Sequence, residues 1–359
     1  MLKIYFCKYF KELMNFNTIL THWYSVNKRK LPWRTTKNPY YIWLSEIIMQ
    51  QTQIKQGLPY YEAFVTNYPN VFDLANAHEE EVLKLWQGLG YYSRARNLHA
   101  SAKYIANELN GEFPNTYAEI LKLKGVGDYT ASAISSISYN EPHAVVDGNV
   151  YRVLSRYFGI STPINSTQGI KEFKALATTL LDTENPGDYN QAVMEFGATL
   201  CKPKNPYCIV CPLKDSCVAL QKGMVDQLPV KLKKTKVTKK YFNFLVLISE
   251  DKKTIFEKRT SKGIWRNLYQ FPLIESDQEI TLSQFETHPK VKSFFKEQGF
   301  NFSLYNTKEL VHKLSHQHLF TKFWIIEVKM LDREGIPISE VKNYPTPILI
   351  GNFIDEFNF

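Results

Sequence analysis

The sequence predicts a mainly helical front region joined by a lysine-rich linker to a smaller α+β domain. Three observations carry that expectation. From Phe16 to about Cys217 apolar residues recur three or four apart, the period of helices that bury one stripe. Residues 230–240 carry six lysines and almost no apolar bulk, as a solvated linker would. Beyond them come short runs rich in Phe, Ile, Val and Tyr, the composition of strands.

Residues before Met14 read as an upstream extension, because helical patterning becomes clear only after it. Ala95, Leu98, Ala102, Ile105 and Leu109 then set one buried stripe along Tyr91–Leu109. Val150, Val153, Leu154 and Tyr157 repeat the rhythm, with Asp147 or Asn149 placed to cap that helix. Ile170, Phe173, Leu176, Ala177 and Leu180 make another amphipathic helix. Asn67-Tyr-Pro-Asn70, Asn110-Gly-Glu-Phe-Pro114 and Asn185-Pro-Gly-Asp188 break the helices. In the tail, Tyr241–Ile248, Thr254–Lys258 and Phe323–Met330 read as strands and Ser283–Gln298 as a helix. The expected division is therefore 16–228, a linker at 229–240, and 241–359.

A chain of 359 residues exceeds one ordinary core, which agrees with two or three domains. A hydrophobic fraction of 44% and a charged fraction of 22% belong to a folded chain and exclude a disordered one. The net charge of +9 suits a polyanionic partner. No run of eighteen apolar residues occurs, and the opening segment is too short and lysine-interrupted for a signal peptide. The expectation is an intracellular protein, cytoplasmic and nucleoid-associated if bacterial.

Four of the five cysteines, Cys201, Cys208, Cys211 and Cys217, are spaced C-x6-C-x2-C-x5-C. So tight a cluster in a large chain reads as a metal site rather than a disulfide framework. Four thiolates suit either a tetrahedral zinc ion or an iron–sulfur cluster, and spacing alone leaves both open. Lys202, Lys204 and Lys214 surround the cluster, so this loop could meet phosphates.

Leu123-Lys-Gly-Val-Gly-Asp-Tyr-Thr-Ala131 places two glycines in a tight turn between helices. Gly125 and Gly127 permit positive φ and let backbone amides approach a phosphate at the next helix N-terminus. Downstream, Asp147 in Ala144-Val-Val-Asp-Gly-Asn-Val150 reads as a helix cap, a carboxylate that is held in place and stays ionised.

These segments combine with Leu31-Pro-Trp-Arg34, Trp43-Leu-Ser-Glu-Ile-Ile-Met-Gln-Gln-Thr-Gln53 and Gly88-Leu-Gly-Tyr-Tyr-Ser-Arg94. Together they resemble the adenine DNA glycosylase (MutY) family of the helix–hairpin–helix, or endonuclease III, superfamily. The resemblance is close over roughly residues 16–220 and looser in the tail. It implies a helix–hairpin–helix glycosylase region whose four cysteines hold one [4Fe–4S] cluster.

Breaking the C1′–N bond of a nucleotide gives the sugar oxocarbenium character and needs an acid at the departing base and a negative charge near the sugar. The resemblance matches Glu46 to the general acid at adenine N7, and its apolar neighbours Trp43, Ile47 and Ile48 would raise its pKa. Asp147 is matched to the carboxylate that stabilises C1′, assisted by Tyr129 and Asn149. Relatives that cut the strand carry a Lys at the position of Tyr129, and a tyrosine cannot form their Schiff base. Gln51, Leu89 and Tyr91 match residues that fill the stack when the base is flipped. Arg29, Trp33, Arg34 and Glu195 match residues lining the adenine pocket.

In the tail, Gly263-Ile-Trp-Arg-Asn-Leu-Tyr-Gln-Phe-Pro272 resembles the Nudix-like C-terminal domain of the same family. Leu273-Ile-Glu-Ser-Asp-Gln-Glu-Ile280 lacks the Glu-rich metal box of a working Nudix hydrolase, so no pyrophosphatase activity is expected. His312-Lys-Leu-Ser-His-Gln-His-Leu319 resembles the loop that reads 8-oxoguanine, with Ser315 and His316 as hydrogen-bonding readers and Leu314 where many relatives carry Phe. The resemblance thus implies a monomeric, monofunctional glycosylase that removes adenine opposite 8-oxoguanine or guanine in double-stranded DNA. The rival readings are an endonuclease III-like glycosylase/lyase acting on oxidised pyrimidines, a catalytically silent iron–sulfur DNA-binding protein, and a Nudix nucleotide hydrolase.

Overall fold

The computed structural model describes residues 16–232, 237–295, 301–306, 308 and 310–357. The expected upstream extension, the middle of the linker at 233–236 and the last residues of the helix expected over Ser283–Gln298 lie outside the described residues. The chain divides into two compact units, one taking in the residues up to Asn76 and Asn97–Lys233, the other Ala77–Arg96 and Lys234–Phe359. No helix among the described residues is long and apolar enough to cross a membrane.

The helices run in chain order as α1 (16–27), α2 (Pro39–Met49), α3 (Ile54–Asn67), α4 (Val71–Asn76), α5 (Glu79–Leu85), α6 (Ser93–Glu108), α7 (Tyr117–Ile120), α8 (Asp128–Tyr139), α9 (Gly148–Phe158), α10 (Thr167–Leu180), α11 (Pro186–Thr199) and α12 (Val218–Gln221). Asn38 caps α2 by accepting the Tyr40 amide at 2.9 Å, and Pro39 opens it with its φ already helical. Seven of its side chains, Tyr40, Ile42, Trp43, Leu44, Ser45, Ile47 and Ile48, are buried, so it is interior on nearly every face. At the middle of the first unit lies α9, whose Val150, Val153, Leu154 and Tyr157 pack in one core with Phe16, Leu20, Phe173, Val193 and Phe196.

The hairpin turn seats against α6. Gly125 takes φ +80, and a Cβ there would stand 2.8 Å from Asn97 Cβ, so both its backbone and its lack of a side chain are used. Gly127, which the sequence had placed with it at positive φ, is extended (φ −106, ψ −177) and stands at the N-cap of α8. Ser101 Oγ donates to the Lys124 carbonyl at 3.2 Å, holding the turn from below.

In the second unit, β1 (Thr238–Ser249) pairs parallel with β8 (Gln317–Val328) along twelve residues, and β5 (Leu273–Ser276), β6 (Asn301–Leu304) and β7 (Leu310–Lys313) add antiparallel edges. On one face Leu245, Leu247, Ile274 and Trp324 form a core with α13 (Leu282–Thr287) and α14 (Pro289–Phe295), Phe285 stacking on Trp324 at 3.9 Å. On the other, Phe323 stacks at 4.0 Å on Phe353 of α15 (Ile348–Phe357). Ala77–Arg96 packs here through polar contacts: Glu80 accepts from Lys258 Nζ (2.8 Å) and the Tyr269 hydroxyl (2.9 Å), and the Tyr92 hydroxyl donates to the Thr346 carbonyl (3.0 Å).

Two tail elements differ from expectation. The helix expected as one piece over Ser283–Gln298 is broken between α13 and α14 because His288 precedes Pro289, which forces it to an extended ψ of 131°. The strand expected over Thr254–Lys258 is two bridges, β2 (Lys253–Thr254) pairing β9 (Ile336–Pro337) and β3 (Glu257–Lys258) pairing β4 (Tyr269–Gln270).

Candidate active site

Eight of the sequence-derived site residues, Arg29, Trp33, Arg34, Glu46, Tyr129, Asp147, Asn149 and Glu195, line one cavity of about 530 Å³ within the first unit. That volume is in the range of sites for a small organic group. Five segments build it: the stretch between α1 and α2 brings Arg29, Trp33 and Arg34, α2 Glu46, the start of α8 Tyr129, the mouth of α9 Asp147 and Asn149, and α11 Glu195.

Glu46 is the one acid on an otherwise interior helix. Its carboxyl keeps some exposed surface because it faces the cavity, yet the protein packed around it desolvates the charge and pushes its pKa up to about 7. The negative charge of nearby Asp147 adds to the rise, while a hydrogen bond from the Tyr129 hydroxyl and the charge of Arg34 oppose it. Tyr129 is itself pushed well above the usual phenol range, first by burial and then by the two carboxylates. Its hydroxyl also lies 3.4 Å from Met194 Sδ.

Asp147 is the N-cap of α9. Its Oδ1 accepts the amides of Asn149 (2.9 Å) and Val150 (2.8 Å), and its Oδ2 accepts Asn149 Nδ2 at 2.7 Å. Burial nonetheless outweighs these donors and raises its pKa above the ordinary carboxylate value. The two carboxyls therefore differ in partners: three donors hold Asp147, and one phenol meets Glu46.

Glu195, only 1% exposed, is clamped by two arginines. Arg29 donates through Nε and Nη2, each at 2.6 Å, and through its amide at 3.0 Å, and Arg34 Nη2 donates at 2.7 Å. Burial would raise the Glu195 carboxyl, but these hydrogen bonds win and hold it at about 2. The cavity thus carries one carboxylate fixed in its ionised form by two guanidinium groups and a second carboxyl that holds its proton near neutrality.

The sequence reasoning missed two arginines on α9. Arg152 Nη2 donates to Asn149 Oδ1 (2.8 Å) and the Gly197 carbonyl (2.6 Å), and its Nε donates to the Cys201 carbonyl (2.7 Å). Arg156 donates to the carbonyls of Lys202 (2.8 Å) and Val225 (2.9 Å), with Cys201 Sγ 3.4 Å from its Nη1. The available signal was two arginines four apart inside the apolar rhythm of Val150, Val153, Leu154 and Tyr157.

Cys201, Cys208, Cys211 and Cys217 are free thiols that line a second cavity beside Arg156 and Tyr207. Burial, with a smaller push from the neighbouring thiols, raises Cys211 to about 12 and raises Cys208 and Cys217 as well. Four thiols so placed become thiolates together only around a cationic centre. Among the described residues no three His, Cys, Asp or Glu side chains gather as a site for a metal ion.

The remaining site candidates lie elsewhere. Gln51 is exposed at φ +54 just after α2, and Gly125 and Gly127 are exposed in the hairpin. In the second unit Leu89 is buried while Tyr91 is 47% exposed. Ser315 and His316 are exposed at the turn between β7 and β8.

Residues 44–177 match the family described as HhH-GPD superfamily base excision DNA repair protein, and residues 243–356 match the NUDIX domain. An adenine DNA glycosylase of Buchnera aphidicola subsp. Baizongia pistaciae is 36% identical over 315 residues, covering 88% of this chain and 86% of that one. The adenine DNA glycosylase of Homo sapiens is 44% identical over 227 residues, covering 60% of this chain and 41% of that one. Among solved structures a thermostable thymine-DNA glycosylase superposes with a TM-score of 0.55 at 30% identity, covering 59% of this chain and 98% of that one. A non-covalent endonuclease III–DNA complex superposes at 0.51 and 22% identity, with the same coverage, and shares the fold. With the relationship spanning most of the chain and Glu46 and Asp147 facing one cavity, this chain belongs to the adenine DNA glycosylase family of the helix–hairpin–helix superfamily and is an adenine-specific DNA N-glycosylase.

Proposed function

We propose that this glycosylase acts as a monomer on double-stranded DNA, hydrolysing the N-glycosidic bond of adenine opposite 8-oxoguanine or guanine and leaving an abasic site with the strand intact. The observation that carries the reading is the pairing of a carboxyl raised to about 7 with a carboxylate held by three donors in one cavity. Glu46 gives its proton to adenine N7, so the base leaves neutral. Positive charge then grows on the sugar, and Asp147 meets it as the ionised partner, pinned by the amides of Asn149 and Val150. Holding one proton on Glu46 and none on Asp147 is the arrangement two neighbouring carboxyls favour when their donors differ. Water completes the hydrolysis.

Tyr129 supports a monofunctional enzyme, since a phenol has no amine to attack C1′ and open the route to strand cleavage. The clamp of Arg29, Arg34 and Glu195 with Trp33 forms the base pocket, and the exposed Gln51 and Tyr91 are the side chains free to fill the stack left by the flipped adenine, whereas Leu89, expected to join them, is buried. Gly125 and Gly127 bring hairpin amides to a phosphate. Ser315 and His316 read the opposite base from the tip of a hairpin.

Cys201, Cys208, Cys211 and Cys217 would hold one [4Fe–4S] cluster, which supplies a covalent clasp for the loop and no step of the hydrolysis. An all-thiol donor set around a cavity supports that assignment.

The test is a duplex holding a single adenine opposite 8-oxoguanine, guanine or thymine. Free adenine should appear with the first two and strand breaks only after alkali. Breaks without alkali would remove the monofunctional claim, and equal release opposite thymine would remove the mispair specificity. Glu46→Gln should bind the duplex and release nothing.

A further inference from the structure

The segment Trp86–Arg94 folds into a turn whose conformation is costly. Gly90 has φ +74 and Tyr91, although not a glycine, has φ +50. A left-handed backbone at such a residue costs about 1–2 kcal/mol, so neighbouring contacts must hold it. The fully buried Trp86 donates its indole N–H to the Gly90 carbonyl at 3.0 Å, and the Leu89 amide donates to the Trp86 carbonyl at 3.1 Å. The Arg94 amide donates to the Tyr91 carbonyl at 2.8 Å, starting α6.

The Arg94 side chain then turns back beneath the loop. It is only 8% exposed, its Nη2 lies 3.3 Å from the Gly90 carbonyl and 3.5 Å from the Leu89 carbonyl, and its guanidinium carbon sits 5.0 Å from the Trp86 ring and 5.6 Å from the Tyr91 ring. One planar cation thus touches both carbonyls of the turn and both aromatic rings. A lysine could match the charge but not the flat face that meets the two rings.

We propose that Arg94 is a positioning residue for base excision, fixing the Gly88–Tyr91 turn so that the Tyr91 ring stands out of the protein before DNA arrives. This rests on the reading of Tyr91 as a residue that fills the stack. Its physical content is preorganisation: a ring already presented loses less conformational freedom on insertion than one that must be ordered in the encounter.

The experiment combines single-turnover adenine release with the fluorescence of a 2-aminopurine placed beside the target adenine, which brightens when the stack opens. R94M, R94K and Y91A are compared alone and with each arginine change placed in the Y91A background. Arg94→Met should lower both the release rate and the fluorescence rise by about tenfold, with Arg94→Lys recovering only part. In the Y91A background either change should cost less than about twofold, because its target is gone. Additive losses on top of Y91A, or an unchanged fluorescence rise in R94M and R94K, would overturn the proposal while leaving the role of Tyr91 standing. Undiminished release by Y91A itself would overturn both. Should R94M fail to fold, R94K keeps the buried charge and carries the same comparison.

Discussion

Arg152 joins Asn149 to Cys201: one guanidinium donates to the Asn149 side-chain oxygen at 2.8 Å and to the Cys201 backbone carbonyl at 2.7 Å. Asn149 in turn donates to Asp147, so the carboxylate at the mouth of α9 lies two hydrogen bonds, and the first cysteine of the loop one, from a common cation. Replacing Arg152 by Met strands several carbonyls of the interior, and a loss of about 2–4 kcal/mol of stability is expected. Asn149 would also lose its anchor, so adenine release should fall together with the melting temperature. Bound iron per chain and thermal unfolding of R152M measure the two ends, and a variant that melts like the parent with full activity would disprove the link.

Glu46 sets a pH limit on the reaction. Its proton is needed, and with its pKa at about 7 the single-turnover rate should fall tenfold per pH unit well above that value, level off below it, and fall again on further acidification as Asp147 takes up a proton. Stability follows the opposite convention from a salt-bridged acid. An unfolded glutamate ionises around its ordinary value of 4.5 while the folded one keeps its proton to about 7, so the destabilisation is absent below 4.5, grows through the interval and is complete above 7. Glu46→Gln should therefore melt higher than the parent at pH 8 and no higher at pH 4. Melting curves of both proteins across that range decide it, and a constant difference would contradict the assignment.

What the sequence disclosed, and what it hid, follows from the range of the interactions involved. The burial of Glu46 was legible because its own helix carries the apolar neighbours that desolvate it, and the stripe Val150, Val153, Leu154 and Tyr157 was legible for the same reason. Arg152 and Arg156 were not, because an arginine reads as exposed unless its partners are known, and theirs include carbonyls 45 to 72 residues away. The allegiance of Ala77–Arg96 to the second unit depends on pairs such as Glu80 with Lys258 that no local pattern announces. The first half of β8, Gln-His-Leu-Phe-Thr-Lys, has no residue-by-residue alternation of polar and apolar side chains and was passed over, since only its pairing with β1 makes it a strand. The break at Pro289 was visible locally and simply outweighed by the helical composition around it.

Tyr129 tunes Glu46 by donating to its ionised form, which lowers the glutamate pKa relative to burial alone. Tyr129→Phe removes that donor, so the alkaline limb of the rate profile should move upward from about 7. The rate on the plateau should drop by about ten- to a hundredfold as orientation at the two carboxyls is lost. A pH series on Y129F reports both effects separately. A limb shifted downward would mean that the hydroxyl does not donate to Glu46 in the working enzyme.

Glu195 gives the reverse pH signature. Arg29 and Arg34 hold its carboxyl at about 2 against an ordinary 4.5, so the stability contributed by the clamp is fully present above 4.5 and drains away as the pH falls toward 2. Glu195→Gln leaves two guanidinium groups beside a neutral amide, and breaking such a buried pair costs about 3–5 kcal/mol, discounted here because Arg29 is 39% exposed. The melting temperature of E195Q should lie well below the parent at pH 7, and the gap should narrow steadily between pH 4.5 and 3. Adenine release should fall with it at pH 7, since Arg29, Arg34 and Glu195 all line the cavity that holds Glu46. A gap that stays constant on acidification would show that the stabilisation comes from the shape of the residue rather than from its charge.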